Sequence, residues 1–353
     1  MRFADLLGLD ENRFCKIMAT NKMFGMVNVL GHVAELQYEK QLKKKGIPFT
    51  KADTDEHFDY RIGGHRHQVK RWETAGTDEE YLAVNLTKTH GNRNGPDAYY
   101  NKTDFDNLIL FDVGFSNFMN IDVNKIPQNR KYSDRLPGIF KIKRQKNFSS
   151  FEKDFLNALK QTNTNFPPAI EELRKKFNLT YKELVEQCSG LRLDEIDTLF
   201  SIENFRLITG AKGFAAEEHF NLLLESKGIP HNQVVEIYSK VDHFVNKKKV
   251  QVKTLYPRST DDNFWAFKTH KTHGHGIGEL YKNDAFEIVA VFIGYRYNGS
   301  MDKYTPSSTK TEFIFVPITD LEDHPEYPGY LKRVSKVLRL KYKINDTSIF
   351  LKS

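Results

Sequence analysis

The stretch DYRIGGHRHQVK, from Asp59 to Lys70, recurs as DHFVNKKKVQVK, from Asp242 to Lys253. In both copies an Asp is followed nine residues later by Gln-Val-Lys. Apolar and polar residues alternate on either side of a pair suited to a tight turn: Gly63-Gly64 in one copy, Asn246-Lys247 in the other. Alternation with period two and a two-residue turn predict a β-hairpin. Its first strand carries the Asp. On the second, Gln68 and Lys70 share one face while Val69 turns to the core.

The similarity extends in both directions. Upstream, Gly31–Pro48 aligns without a gap to Gly213–Pro230, with identical Gly, Ala, Glu, Leu, Lys, Gly, Ile and Pro. Ala34, Tyr38 and Leu42 recur every four residues, as do Ala216, Phe220 and Leu224, so this block reads as a helix. Gly46 and Gly228 are placed to cap it in the left-handed conformation. Downstream, Asp59–Gly91 aligns with Asp242–Gly274 and ends in Lys-Thr-His-Gly in both copies. The apolar runs LILFDV and IVAVFI read as central strands. Phe105 matches Phe286, FMNIDV matches FIFVPI, and Leu7-Gly8-Leu9 loosely matches the surroundings of Gly190-Leu191. A repeat of half the chain length is too long for a solenoid and predicts two tandem domains.

The expected organisation is α/β: repeat 1 over 1–145, a basic helical connector over 146–177, and repeat 2 over 178–353. The connector holds KIKRQK from Lys141 at its border and a helical pattern from Phe151. Pro167-Pro168 sits where a helix begins. Residues 181–200 suggest two short helices about Gly190, read as a plain helical hairpin rather than a DNA-reading element.

Composition narrows the functional classes. With 53 Lys+Arg against 46 Asp+Glu the net charge is +7, which favours an anionic partner such as nucleic acid. Two cysteines exclude a disulfide scaffold or a Cys-rich zinc site and suit a reducing, cytoplasmic setting. The acids near the N-terminus do not read as a signal peptide, and the longest apolar run is too short to span a bilayer.

Hydrolysis of a phosphodiester with magnesium needs hard oxygen ligands converging on one point and a nearby cation. Each repeat carries such a set: Glu35, Asp59, Gln68 and Lys70 in the first, Glu217, Asp242, Gln251 and Lys253 in the second. The Glu, Asp, Gln-x-Lys order resembles the PD-(D/E)xK nuclease superfamily. That superfamily includes type II restriction endonucleases, and the helix signature Gly-x-x-Ala-Glu…Leu-x-x-Lys-Gly is similar to its Holliday-junction-resolvase and RecB-like branch. The resemblance covers about 31–115 and 213–295 and implies two restriction-endonuclease-like units, each a mixed sheet flanked by helices. It implies metal-binding roles for Asp59 and Asp242 and catalytic roles for Lys70 and Lys253. Two departures stand out. No Pro precedes either Asp, and Gln68 and Gln251 occupy the place of the usual acid. A Gln carbonyl binds magnesium without adding charge, and Glu35 and Glu217 can restore that charge from the helix.

The expected cofactor is Mg2+, with Mn2+ substituting, and the expected partner is double-stranded DNA. The expected activity is that of a type II restriction endonuclease acting as a monomeric pseudo-dimer. A junction-selective repair nuclease and a non-cleaving DNA-binding protein are the alternatives. Candidate DNA contacts are Lys88, His90, Lys271 and His273 of the repeated Lys-Thr-His-Gly, with Arg61 and Arg66 on the first hairpin. Glu218 has Leu36 as its counterpart and reads as a surface residue.

Overall fold

A computed structural model describes the chain apart from residues 1, 22–25, 54–55, 89–95, 115–116, 201–204, 235–238, 256–262, 271–279, 299–304 and 352–353. Among the described residues, helices α1 (Phe3–Leu6) and α2 (Glu11–Thr20) lead to the long α3 (Met26–Lys44). Seven strands follow: β1 (Thr50–Lys51), β2 (Tyr60–Ile62), β3 (His65–Arg71), β4 (Tyr81–Asn85), β5 (Asn107–Phe111), β6 (Phe118–Asp122) and β7 (Ile139–Lys143). Helices α4 (Ser150–Leu159), α5 (Phe166–Lys176), α6 (Tyr181–Ser189) and α7 (Leu193–Asp197) precede the second long helix, α8 (Phe205–Ser226). The rest comprises β8 (His231–Gln233), β9 (His243–Val245), β10 (Lys248–Thr254), β11 (Phe264–Lys268), β12 (Ile288–Phe292), β13 (Tyr295–Arg296), β14 (Ser308–Thr309), β15 (Phe313–Pro317), β16 (Val334–Leu338) and α9 (Ser348–Leu351).

The fold is mixed α/β, with two mixed sheets flanked by helices. One sheet has the order β1-β2-β3-β5-β6 and the other β8-β9-β10-β12-β15. Within each, one central pair is parallel (β3 with β5, β10 with β12) and the remaining pairs are antiparallel. The parallel register sets Gln68 opposite Leu108 and Gln251 opposite Val289. Central strands β5 and β12 are almost wholly buried, as their unbroken apolar sequences require.

Local signals predicted these elements well. Gly46 (φ +65°) and Gly228 (φ +62°) end α3 and α8, and the next amide reaches back to Leu42 and Leu224 at 3.0 and 2.9 Å. The hairpin turns have positive φ at both central residues, 54° and 86° at Gly63-Gly64 and 47° and 70° at Asn246-Lys247. In the connector, Ser149 and Glu152 form a capping box that starts α4, and the Pro pair opens α5.

Compactness divides the chain along lines other than the repeat boundaries. One unit is Met18–Leu199; the other combines Met1–Ile17 with Phe200–Ser353. The boundaries expected at 145/146 and 177/178 both fall inside the first of these. In that unit α6 packs on α3, where Gln37 Nε2 donates to the Gly190 carbonyl at 2.6 Å. In the other, α1 packs near β14, and His219 Nε2 on α8 meets the Leu7 carbonyl at 2.8 Å. Each long helix is thus held by the helical turn that precedes the other one in sequence.

Candidate active sites

In the Met18–Leu199 unit, Asp59 stands just before β2. Its amide donates to the His67 carbonyl at 2.9 Å, which extends the hairpin ladder and fixes the backbone. Its side chain is fixed from the neighbouring strand. Oδ2 accepts the Val69 amide at 2.7 Å and Gln68 Nε2 at 2.5 Å. Glu35 reaches the same place from α3. Burial pushes the Glu35 carboxyl up to about 8, and the Asp59 charge adds to the rise while Lys70 and Lys51 oppose it. Asp59 is raised too, chiefly by burial, against the pull of Lys70 and its two hydrogen bonds. Two acids crowded in a poorly solvated place, with one lysine beside them, form a cluster short of positive charge.

The second unit repeats the arrangement. The Asp242 amide donates to the Val250 carbonyl at 2.9 Å, and Asp242 Oδ2 accepts the Val252 amide at 2.7 Å and a short hydrogen bond from Gln251 Nε2. Burial first, then Asp242, raises the Glu217 carboxyl well above its ordinary value, and burial raises Asp242 despite Lys253. The sites differ beside the helix acid. Gln233 Nε2 donates to Glu217 at 3.3 Å, whereas the aligned Lys51 bonds Glu39 at 2.7 Å and lends Glu35 its field.

The donor set fits a hard divalent cation. Among the described residues no three His, Cys, Asp or Glu side chains converge where they could hold a metal ion. Each site offers two carboxylates and one amide carbonyl instead. Gln251 Oε1 is buried and has no hydrogen-bond partner among the described residues. A buried acceptor left unpaired is costly, and a cation would satisfy it.

A pair of tyrosines was not anticipated. The Lys70 ammonium lies 5.3 Å from the Tyr100 ring centroid, and that of Lys253 lies 5.3 Å from the Tyr281 ring. Both tyrosines are buried, and the Tyr281 hydroxyl hydrogen-bonds Lys253. The available signal was a Tyr five residues before each of the matched Phe105 and Phe286.

The candidate DNA contacts are placed less uniformly. Arg61 is exposed, 5.0 Å from the Phe58 ring. Arg66 is engaged internally, bonding Asp106 at 2.9 Å and the Thr103 carbonyl. Lys88 is also engaged, nearly buried in an ion pair with Asp104 at 2.9 Å. His90, Lys271 and His273 lie outside the described residues. No helix among the described residues is long and apolar enough to cross a membrane.

No known protein family matches the chain, and no curated protein does. Among solved structures it is similar in part to a bacterial homing endonuclease, I-Ssp6803I, at 13% sequence identity and a TM-score of 0.23. That match covers 36% of this chain and 74% of the other, a likeness too slight to carry an argument about either fold or activity.

Proposed function

We propose that the chain is a magnesium-dependent endonuclease of double-stranded DNA. It carries two restriction-endonuclease-like units that arose by duplication, and it works as a single-chain pseudo-dimer of the type II restriction kind. One observation carries this reading. The same Glu, Asp, Gln and Lys, on matched elements and with matched hydrogen bonds to the Asp, occur twice in one chain. A decaying site loses such a set in one copy first; here both copies keep it, Gln included. The matched strand orders support the duplication.

Glu35, Asp59 and Gln68 would hold the cation in one site, and Glu217, Asp242 and Gln251 in the other. Bound there, magnesium supplies positive charge to a phosphodiester and its attacking water. The chain's own groups do the rest. The Val69 and Val252 amides and the Gln side chains fix each Asp in one rotamer. Lys70 and Lys253 stabilise negative charge developing on the phosphate.

Digestion of supercoiled plasmid tests the reading. EDTA should abolish cleavage and Mg2+ or Mn2+ restore it. Asp59→Ala and Asp242→Ala should each leave nicked circles, cut on opposite strands, and the double variant should bind DNA without cutting. Full activity in EDTA would sink the assignment. Linear product at the normal rate from Asp59→Ala alone would make that unit a binding half. A preference for four-way junctions over plain duplex would move the protein to a repair nuclease.

A further inference from the structure

Outside the central sheets, each unit has a separate two-stranded antiparallel ribbon, β4 with β7 and β11 with β16. Their registers correspond. Ala83 faces Lys141 and Ala266 faces Lys336, while Asn85 faces Ile139 and Lys268 faces Val334. On this outer side Ile139, Lys141 and Lys143 of β7 and Val334, Lys336 and Leu338 of β16 are exposed, while Ala83 and Ala266 beside them are buried. The inner face is apolar, with Leu82 and Val84 in one ribbon and Phe267 and Val337 in the other, all buried.

The outer face is unusual for a folded surface. Ile139 is 60% exposed, Val334 38% and Leu338 53%. Isolated exposed aliphatics are ordinary, but here a β-branched residue recurs at the same register position in two ribbons. Each is two residues before a lysine on the same face. Lys141, Lys143 and Lys336 form no ion pair among the described residues. Lysine is depleted at protein–protein interfaces, which argues against a protein partner. Exposed lysines beside exposed aliphatics, two on β7 and one on β16, on a chain of net charge +7, complement a polyanion.

We infer that these two ribbons are the DNA-reading elements, each entering a major groove of duplex DNA with its outer face. The inference rests on the nuclease reading above. A two-stranded ribbon fits that groove. The lysines meet phosphates or guanine edges, and Ile139 and Val334 meet thymine methyl groups.

The test is equilibrium binding of the full chain to a pool of randomised 30-base-pair duplexes in EDTA, where no cleavage occurs, at several salt concentrations. Lys141→Ala with Lys143→Ala should weaken binding roughly tenfold at 0.1 M salt and lower the salt slope by about two; Lys336→Ala should lower it by about one. Ile139→Asn and Val334→Asn should leave the slope unchanged and alter which duplexes are enriched. The positions are exposed, and thermal melts verify that the variants fold. If wild type binds duplex and all four variants bind with the same slope and preference, the ribbons do not read DNA, though the nuclease reading stands. If wild type binds no duplex at all, both fall. If Ile139→Asn changes only self-association in sedimentation, the face joins copies of the chain and the inference is overturned.

Discussion

Replacing Glu35 with Gln tests whether the acids of the first site are held together against their own charge. In the folded chain the Glu35 carboxyl sits at about 8, against an ordinary 4.5. The folded state therefore binds this proton more tightly than the unfolded chain. Stability falls as pH rises from about 4.5 to about 8, because over that window folding must either keep the proton or bury the charge. At roughly 1.4 kcal/mol per pH unit the full difference approaches about 5 kcal/mol. Glu35 keeps some contact with solvent, so about half, roughly 2–3 kcal/mol, is the expected cost. Urea unfolding in EDTA at pH 5.5 and 8.5 measures it. Wild type should lose stability between the two, and Glu35→Gln should lose about 1–2 kcal/mol less, since the interval starts about one pH unit above 4.5. Added Mg2+ should restore wild type most at pH 8.5, where the acids are ionised, and should gain less in the variant. If Glu35→Gln shows the wild-type pH slope, or Mg2+ stabilises both proteins equally, the carboxylates are not a strained cation site.

Three other perturbations read different parts of the machinery. Gln68→Glu and Gln251→Glu should keep plasmid cleavage, whereas Gln68→Leu should leave only the nick made by the second site; normal linearisation by Gln68→Leu would reduce the Gln to a strand residue. Tyr281→Phe should keep the ring under Lys253 and most activity, while Tyr281→Leu should lower kcat about tenfold with KM little changed, and equal rates for the two would remove Tyr281 from a positioning role. His243 is fully buried, neither ring nitrogen has a partner among the described residues, and burial lowers it to about 3; stability is then lost as pH falls below about 6.5. His243→Phe should raise the unfolding free energy from urea titration at pH 7 by about 2 kcal/mol for the two orphaned nitrogens, and by more at pH 5; a variant less stable than wild type at both would refute the account.

The hairpins, the caps on the long helices and the Asp–Gln–Lys set were legible because each depends on residues near in sequence. Period-two alternation, a left-handed Gly and a two-residue turn report themselves locally. Partners brought in from afar do not. Arg66 looks like a free basic residue until Asp106 is placed beside it, and Lys88 until Asp104 is. The tyrosines under the lysines precede β5 and β12, and they come back to the lysines, some thirty positions away in sequence, only because those strands pair with β3 and β10. The ribbons pair β4 with β7 and β11 with β16 across long intervening segments, so neither strand announces its partner.

The repeat in sequence and the compact unit are different objects, and the difference bears on the sites. Glu35 is two residues from Gln37, whose amide is tied to the Ser189 and Gly190 carbonyls; Glu217 is two residues from His219, tied to the Leu7 carbonyl. Gln37 and His219 occupy matching positions, and the turns they grip match as well, with Gly8 at φ +69° and Gly190 at φ +66°. A left-handed residue there turns the chain so that the preceding carbonyls project beyond the end of the short helix. The helix turn that carries each candidate acid is therefore anchored by a segment belonging to the other repeat. A chain cut at the repeat boundary would separate each long helix from its anchor. It would also leave a buried polar side chain, Gln37 or His219, without its acceptor, at about 1–3 kcal/mol for each. Two sites that look like independent copies in sequence each need the other copy's helical turn to keep the acid in place.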